Sequence, residues 1–396
     1  MKILYFVNYF PPNTGAAANN SYNIVDYLLK FGHQSIILAP GDVSETLKLK
    51  YQLPVENLKK FEIIRSNSLI RFPFNLVFSH FQNLFKVLFK IIRKVHPDLI
   101  MSQYHTFHFA PVVGGICATK LRLPYIIRAH DIFIDLDTLP FFYKTYVRLN
   151  FPLIYNSIKK ANVFYATTME MKNYLQKINK FKHVDFKIHY NGVDTDLFFP
   201  KPEETLKKRF DCENLILYTG LLSKDVGLEN LILALRNLLK INKNTHVLII
   251  GEGPYKNEIV NYSKKHDFFE KIHLLTPIPH IKMPYYVNNC DIGIGRLSRS
   301  NLFKYIIPVK CLEYSACKIP FITSSISSDL LSNDDVGIEI KNVNNPDFIA
   351  NKLIQLIEDK TLRDRLGNNG LKKIRDKYTW SDIMRKFIQE IEVLIT

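Results

Sequence analysis

Short apolar runs alternate with amphipathic segments along the chain, and this alternation restricts the fold more than any other feature of the sequence. The runs "KILYFVNYF" at 2–10 and "QSIILAP" at 34–40 are typical of buried strands. Between them, "PPNTGAAANN" predicts a loop and "SYNIVDYLLKFGH" predicts an amphipathic helix that ends at Gly32. Strands joined through helices pair in parallel, so the pattern predicts an α/β protein with parallel sheets.

The same alternation occurs twice. The first set continues with the predicted strands "DLIMSQ", "YIIRAH" and "VFYATT", and the second set begins with "NLILYTG" at 214–220. The second set then includes a helix, "LENLILALRNLLKI", and the predicted strands "THVLII", "IHLLTPI", "DIGIG", "PFITSS" and "VGIEI". Two such sets predict two doubly wound halves, and in folds of this type ligands bind beyond the carboxyl ends of the strands.

A polar, lysine-rich segment at 200–210 separates the two sets. The chain of 396 residues is long enough to bury two cores. We therefore predict an N-terminal domain over 1–195 and a C-terminal domain over 196–379. The C-terminal helix, about 380–396, is expected to pack back on the first domain.

The basic residues are concentrated in the first half. Residues 1–195 contain 24 Lys and Arg against 12 Asp and Glu, and so carry most of the net charge of +16. A basic surface suits nucleic acid, an anionic lipid surface or an anionic substrate, and charge alone does not distinguish these partners. The chain has no recognisable nucleic-acid reader motif, so we expect no nucleic-acid partner.

Cysteine spacing and apolar run lengths indicate the compartment. The five cysteines form no Cys-x-x-Cys pair, which favours reduced thiols in a cytoplasmic chain over a zinc site or a disulfide framework. The opening residues lack the long apolar region and cleavage site of a signal peptide. No window offers about 18 uninterrupted apolar residues, so we expect no membrane-spanning helix.

Four loops that follow predicted strands contain residues suited to ligand binding. Small residues at 13–19 let backbone N–H groups and a helix N-terminus approach an anion or a sugar, although close strand–helix packing would need the same residues. The loop after 214–220 and the turn "GEGP" at 251–254 fit phosphate binding but also ordinary glycine turns. A histidine ends the predicted strand at 125–130, and a lone histidine is more often structural than catalytic. The candidates in these loops are Gly15, Ala16, His130, Gly220, Lys224 and Glu252.

A fifth candidate cluster lies in "FKYIIPVKCLEY" at 303–314. Lys304, Lys310 and Glu313 fall within ten positions of one another, just before an apolar run that predicts a strand. The spacing alone fits the solvated face of a short helix. The rest of the chain favours a functional interpretation.

Taken together, these segments resemble the family-4 retaining glycosyltransferases over nearly the whole chain. "GAAA" with "LLKFGHQSIILAP" is similar to the family's opening loop, helix and strand, and "RLPYIIRAHD" is similar to its His-Asp segment. "NGVDTDLFFP" at 191–200 and "GEGPYKNEI" match the family's domain junction and glycine turn, and "CLEYSACKIPFIT" resembles its donor-binding helix. The resemblance implies the GT-B fold: α/β, with two Rossmann-like doubly wound domains facing a central cleft.

Three positions depart from the common family pattern. The family usually has an Arg and a Lys that hold the donor diphosphate where this chain has Leu221 and Val226. The family often has a glutamate that contacts the donor sugar where this chain has Tyr305. "FKYIIPVKCLEY" also resembles a branch of the family that has "PSK-x-x-E" here and "YTG…GLE" earlier, and that includes enzymes of bacterial O-antigen and capsule assembly. Within this branch, the departures look like the branch's own pattern.

The resemblance implies roles for the candidate residues. His130 would face the donor sugar and its developing charge, and Glu313 would bind the ribose hydroxyls. Burying an unpaired diphosphate is costly, so we expect lysines to compensate for Leu221 and Val226. The expected diphosphate ligands are Lys224, Lys304 and Lys310, with Gly220 and Glu252 lining the donor site, Gly15 and Ala16 near the distal phosphate, and Thr276, Pro277 and Ile278 offering backbone groups to the base.

We expect a retaining reaction that needs no metal and no cofactor besides the nucleotide-sugar co-substrate. No Asp-x-Asp motif follows a predicted strand in the second half, and "DLD" at 135–137 is interpreted as a helix start. The resemblance to the branch favours a UDP-sugar over a GDP-sugar. Sugar, nucleotide, acceptor and linkage stay open at this stage.

The segment "FPFNLVFSHFQNLFKVLFKIIRKVHPD" at 72–98 predicts a basic, aromatic-rich helix whose lysines share one face. Such a helix could lie on an anionic membrane surface, or it could pack in the core with a solvated lysine stripe. We favour the membrane, with a lipid-linked saccharide or glycan acceptor and a peripheral position on its cytoplasmic face. The residues of this face are Lys86, Lys90, Arg93 and Lys94.

The sequence therefore predicts a transferase of cell-surface polysaccharide or glycoconjugate biosynthesis. The replacement of the usual Arg and Lys leaves an alternative open, namely a nucleotide-sugar-binding subunit without catalysis that supports a partner transferase.

Overall fold

The structure is a computed structural model of the full chain. It describes residues 1–7, 9–11, 15–40, 62–66, 92, 95–104, 110–130, 141–178, 181–298, 301–331 and 335–395. The predicted basic face at Lys86, Lys90, Arg93 and Lys94 lies outside the described residues, as does the "DLD" segment.

The chain folds into two compact units. Unit 1 comprises Met1–Tyr190 and Ser381–Thr396, and unit 2 comprises Asn191–Trp380. The boundary at 190/191 lies five residues from the predicted boundary at 195/196. The chain enters unit 1 again at Ser381, where the prediction placed the returning helix at about 380.

Unit 1 contains a seven-stranded parallel sheet in the order β3-β2-β1-β4-β5-β6-β7. The strands are β1 (Lys2–Phe6), β2 (Gln34–Pro40), β3 (Glu62–Ser66), β4 (Leu99–Tyr104), β5 (Tyr125–Ala129), β6 (Val163–Ala166) and β7 (Phe186–Ile188). The central strands β4, β5 and β6 are buried along their whole length. Helices cover both faces of such a sheet, which explains continuous apolar runs instead of alternating ones.

Helices of unit 1 connect these strands. Those in the described residues are α1 (Ala16–Lys30), α2 (Ala110–Leu121), α3 (Phe141–Lys159) and α4 (Met169–Gln176). The C-terminal helix α13 (Trp380–Glu392) packs its apolar side on this sheet, where the Phe387 ring lies 5.0 Å from the ring of Tyr165 and 4.4 Å from that of His189. Burial of such aromatic surface contributes on the order of 2 kcal/mol per side chain.

Unit 2 contains a six-stranded parallel sheet in the order β10-β9-β8-β11-β12-β13. The strands are β8 (Asn214–Thr219), β9 (Thr245–Ile250), β10 (Ile272–Leu275), β11 (Ile292–Ile294), β12 (Phe321–Thr323) and β13 (Ile338–Glu339). The helices are α5 (Thr205–Phe210), α6 (Leu228–Ile241), α7 (Lys256–Lys265), α8 (Met283–Asn288), α9 (Val309–Ala316), α10 (Ser328–Leu331), α11 (Pro346–Glu358) and α12 (Lys360–Lys377).

The predicted fold class is confirmed, because both units are parallel sheets with crossover helices. Two details differ from the prediction. β1 ends at Phe6 and not at 10, and α1 begins at Ala16, inside the segment predicted as a loop. The helix begins there because Gly15, with φ 103°, turns the chain into it. The sequence pattern also missed β3 and β7.

Among the described residues, no helix is both long enough and apolar enough to cross a membrane.

Candidate functional site

The loop after β8 and the first turn of α9 meet in unit 2. Gly220 follows β8 with φ 129°, a backbone conformation that L side chains rarely adopt. A Cβ atom built at position 220 would lie 3.3 Å from the Nζ atom of Lys310. The Lys310 ammonium also lies 4.0 Å from the ring centroid of Tyr218. Gly220 and Lys310, both predicted from the sequence, are therefore neighbours at the carboxyl end of β8.

A second cation, Arg296, lies at the carboxyl end of the adjacent strand β11. Its guanidinium carbon is 3.7 Å from the ring centroid of Phe303. Its backbone is fixed by Thr323 at the end of β12, whose Oγ1 accepts from the Arg296 N–H at 3.2 Å and donates to its carbonyl at 3.1 Å. Sequence reasoning missed Arg296. The available signal was its position directly after a predicted strand, next to the loop that contains Lys304.

Burial acts on both cations, and the charge of Arg296 also acts on Lys310. Burial lowers the pKa of Lys310 to about 7, and the nearby charge of Arg296 contributes to this shift. Burial likewise lowers the pKa of Arg296. Among the described residues, neither side chain forms an ion pair with a carboxylate. Two adjacent cations without a carboxylate partner are arranged to receive an anion.

The carboxylate of Glu313 lies one helical turn after Lys310, and it is buried in unit 2. The Nε2 atom of His280 lies 2.6 Å from its Oε1 atom. Burial alone would lower the pKa of His280, but the charge and hydrogen bond of Glu313, together with the charge of Asp194, raise that pKa. The His280 ring also lies 5.2 Å from the ring of Phe198. The pair fixes the orientation of the carboxylate.

The glycine turn at 251–254 supports the Gly220 loop through its backbone. The N–H of Gly220 donates to the carbonyl of Ile250, and the N–H of Leu222 donates to the carbonyl of Glu252, both at 2.9 Å. A Cβ atom at Gly251 would lie 1.9 Å from the carbonyl oxygen of Gly220, so only glycine fits. This close approach accounts for the "GEGP" segment.

Other predicted donor residues lie at the surface with local partners. Lys224 Nζ is 3.8 Å from a Glu229 carboxylate oxygen. Glu252 Oε1 is 3.5 Å from the Lys256 ammonium. The Lys304 ammonium stands 5.0 Å from the ring centroid of Tyr305. These three side chains are more exposed than Lys310, and the described contacts do not bring them together with it.

Two of the three positions that depart from the family pattern, Leu221 and Val226, have clear surroundings. Leu221 is 58% exposed, so an apolar side chain lies where the family usually has Arg. Val226 packs against the apolar core of unit 2. Neither position supplies a charge. The predicted base-binding residues Thr276, Pro277 and Ile278 directly follow β10 and are partly exposed or exposed.

In unit 1, His130 follows β5, and its backbone N–H donates to the carbonyl of Tyr104 at 2.9 Å. Burial lowers the pKa of His130 to about 4, and the charge of Arg128 adds to this effect. Arg128 itself is buried, and its Nε donates to the Nδ1 atom of His189 at 2.6 Å. His130 is therefore a neutral imidazole at neutral pH.

The predicted small-residue loop of unit 1 leads into α1. Among the described residues, none would lie within 4 Å of a Cβ atom at Gly15, and Ala16 is exposed at the first position of the helix.

The described residues of unit 2 can thus hold an anion between two cations and bind hydroxyls through a carboxylate about one helical turn away. Across the part of the chain that the structure describes, no group of three or more His, Cys, Asp or Glu side chains is placed to hold a metal ion.

Two family models match the chain. Residues 17–197 match the model of Glycosyltransferase Family 4, and residues 201–373 match the model of Glycosyl transferases group 1. Each model covers a little less than half of the chain, and the gap between them falls at the predicted domain junction.

Individual relatives agree with these matches. An uncharacterized glycosyltransferase of Methanocaldococcus jannaschii is 24% identical over 426 residues, covering 100% of this chain and 99% of that protein. The capsular polysaccharide biosynthesis glycosyltransferase CapM of Staphylococcus aureus is 26% identical over 51% of this chain and 54% of its own length. Among solved structures, Anabaena HepE in complex with UDP-glucose has a TM-score of 0.74 at 17% identity and covers 99% of this chain and 100% of that one.

Proposed function

The chain belongs to the family-4 glycosyltransferases of GT-B fold, and from this premise we propose its substrates and mechanism. It transfers a sugar, with retention of anomeric configuration, from a nucleotide-sugar donor to a lipid-linked saccharide or glycan acceptor. The product enters cell-surface polysaccharide or glycoconjugate biosynthesis.

The observation that carries this proposal is the arrangement of Gly220, Lys310 and Glu313. A glycine with positive φ lets the backbone approach the ligand, and the Lys310 ammonium lies next to it. The Oε1 atom of Glu313 is engaged by His280, so its second oxygen can accept hydrogen bonds from the ribose hydroxyls. Cation, glycine and carboxylate match the diphosphate and ribose of a nucleotide sugar.

Transfer breaks the bond between the anomeric carbon and the diphosphate oxygen and forms a bond to an acceptor hydroxyl on the same face of the sugar. The acceptor proton moves to the departing diphosphate, so no protein base is required. The work of the protein is to position the groups and to stabilise the developing phosphate charge. Lys310 contributes that charge stabilisation, and neutral His130 hydrogen-bonds the donor sugar.

A UDP-sugar is the preferred donor, and a GDP-sugar is the second choice. HepE of Anabaena, a fold neighbour, has been solved with UDP and with UDP-glucose. The reaction needs no metal and no further cofactor. The CapM relative acts in capsular polysaccharide biosynthesis, and this supports a surface-glycan acceptor.

The acceptor presents its lipid at the cytoplasmic face of a membrane. The concentration of basic residues in 1–195 suits an anionic lipid surface. The protein thus acts in the cytoplasm as a peripheral membrane protein.

The test begins with the purified protein and UDP-, GDP- and ADP-sugars, each with EDTA and with magnesium. We expect one nucleotide family to raise the Tm in both conditions, since a ligand that binds only the folded state stabilises it. Transfer is then tested by measuring release of the nucleoside diphosphate, with a membrane extract as the source of acceptor. Retention is tested by NMR of the anomeric proton of the product. Absence of a Tm shift with all donors would contradict the proposal.

A further inference from the structure

We propose that Arg296 binds the donor diphosphate together with Lys310, and so supplies the charge that Leu221 and Val226 do not. This inference rests on the proposed nucleotide-sugar function, and it adds to it a residue that sequence reasoning did not predict.

The charge balance of the site requires a second cation. A nucleotide-sugar diphosphate carries about two negative charges, and burying them without partners is costly. The loop after β8 supplies no charge at Leu221 or Val226. Lys224 has Glu229 as its partner, with Nζ 3.8 Å from a carboxylate oxygen. Lys310 alone would leave about one negative charge unmatched.

Arg296 is placed to supply that charge. Residue 296 follows β11, which is parallel to its neighbour β8. Its Cα therefore lies at the carboxyl ends of the strands, as Gly220 does. The Tyr218 side chain is a shared neighbour of the two cations: the Lys310 ammonium lies 4.0 Å from its ring centroid, and the Arg296 charge acts on its phenol. The Sγ atom of Cys311, the residue after Lys310, would lie 2.9 Å from a Cβ built at Gly295.

The ring of Phe303 orients the guanidinium of Arg296 without using its N–H groups. Its carbon lies 3.7 Å from the ring centroid of Phe303. Stacking on a ring uses the face of the guanidinium and leaves the N–H groups at its edge for a planar, bidentate contact. Among the described residues, no carboxylate and no hydrogen-bond acceptor engages these N–H groups.

The arrangement is unfavourable without a ligand, and this supports a binding role. The charge of Arg296 disfavours the charged form of Lys310, and burial lowers the pKa values of both. An anionic ligand between them would relieve the repulsion.

The experiment compares ligands with and without the diphosphate. Isothermal titration of UDP and uridine, with GDP and guanosine in parallel, is performed on the wild type, Arg296→Gln, Arg296→Lys and Arg365→Gln. Arg365 is a matched control, because it is a surface arginine of unit 2 paired with Asp335 at 2.7 Å. The Tm of each variant establishes that it is folded.

We expect Arg296→Gln to weaken binding of the nucleoside diphosphate about 10- to 100-fold, the usual effect of losing a charged hydrogen-bond donor. Binding of the nucleoside should change less than about twofold, Arg296→Lys should lie between, and Arg365→Gln should match the wild type. Equal loss for diphosphate and nucleoside, or no loss for either, would overturn the role of Arg296 while the proposed function stands. A wild type that binds none of the four ligands would overturn the proposed function and this inference with it.

Discussion

The imidazole of His280 holds one oxygen of the Glu313 carboxylate, with Nε2 and Oε1 2.6 Å apart. A carboxylate has two oxygens, so this contact fixes the group and leaves the other oxygen for a ligand. The pair joins the segment after β10, where the base is expected, to α9, which contains Lys310.

Glu313→Ala should reduce kcat/KM for transfer by about 100-fold, because hydrogen bonds donated by the ribose hydroxyls to a charged carboxylate are worth about 1.5–3 kcal/mol. Glu313→Gln, which keeps one acceptor oxygen and the size of the side chain, should lose less. The measurement is steady-state kinetics together with nucleotide binding. Unchanged turnover in a folded Ala variant would remove Glu313 from the site.

His280→Gln should reveal a pH-dependent contribution of the ion pair to stability. Because Glu313 raises the pKa of His280 in the folded protein, the pair stabilises the fold fully below the unfolded value near 6.5 and loses this effect as pH rises through the folded pKa. The pair is partly solvated, so its worth is about 1 kcal/mol, or a few degrees in Tm. The Gln amide donates without titrating.

The measurement is the Tm of wild type and His280→Gln at several values between pH 5.5 and pH 8.5. The Tm of the wild type should exceed that of His280→Gln most at pH 5.5, and the difference should shrink towards pH 8.5. A difference that stays constant with pH would mean that the imidazole is neutral in the folded state and donates an ordinary hydrogen bond.

The sequence predicted the fold class because burial on both faces of a parallel sheet leaves a strong mark. The apolar run "YIIRAH" places β5 within one residue of its observed end at Ala129. β7, with only the three residues Phe186–Ile188, leaves too short a pattern to recognise. The helical start of α1 at Ala16 was missed because alanine-rich segments fit loop and helix equally, and the decision depends on the backbone of Gly15.

The candidate site was predictable only where a motif fixes it locally. Gly220, Lys310 and Glu313 belong to such motifs, and the first two are neighbours in the structure. Arg296 and His280 were missed because their roles depend on which strands are adjacent, and pairing of β8 with β11 spans about 75 positions. The contact of Lys224 with Glu229 could not be predicted for the same reason, and its role at the donor stays a prediction.

Lys310 should make diphosphate binding pH-dependent. Burial lowers the pKa of its ammonium to about 7, so the free protein loses this charge as pH rises through 7. An anion favours the charged form, and its binding above pH 7 therefore takes up a proton. We expect UDP affinity to fall about tenfold between pH 7 and pH 8.5.

Titration calorimetry in buffers with different ionisation enthalpies measures the proton uptake. The range above pH 7 is used because the terminal phosphate of UDP, with a pKa near 6, is then ionised. Lys310→Arg is the matched control, because arginine stays charged and should remove both the uptake and the pH dependence. Lys310→Ala should weaken the binding of UDP much more than the binding of uridine. Similar losses of affinity for UDP and uridine would mean that Lys310 does not bind the diphosphate.

His130 should act as a neutral hydrogen-bonding group on the donor sugar and not as a titrating acid or base. The backbone N–H of His130 donates to the Tyr104 carbonyl. Burial beside Arg128 lowers the pKa of the His130 imidazole to about 4. His130→Ala should therefore lower kcat by about 10- to 100-fold and leave UDP affinity within about twofold, since the proposed partner of His130 is the donor sugar. His130→Gln, a neutral donor of similar reach, should restore part of the rate. The decisive measurement is the pH profile of kcat between 5.5 and 8, where the contribution of His130 should be constant: a loss of rate near pH 6.5 that disappears in His130→Gln would show a titrating histidine and contradict this role.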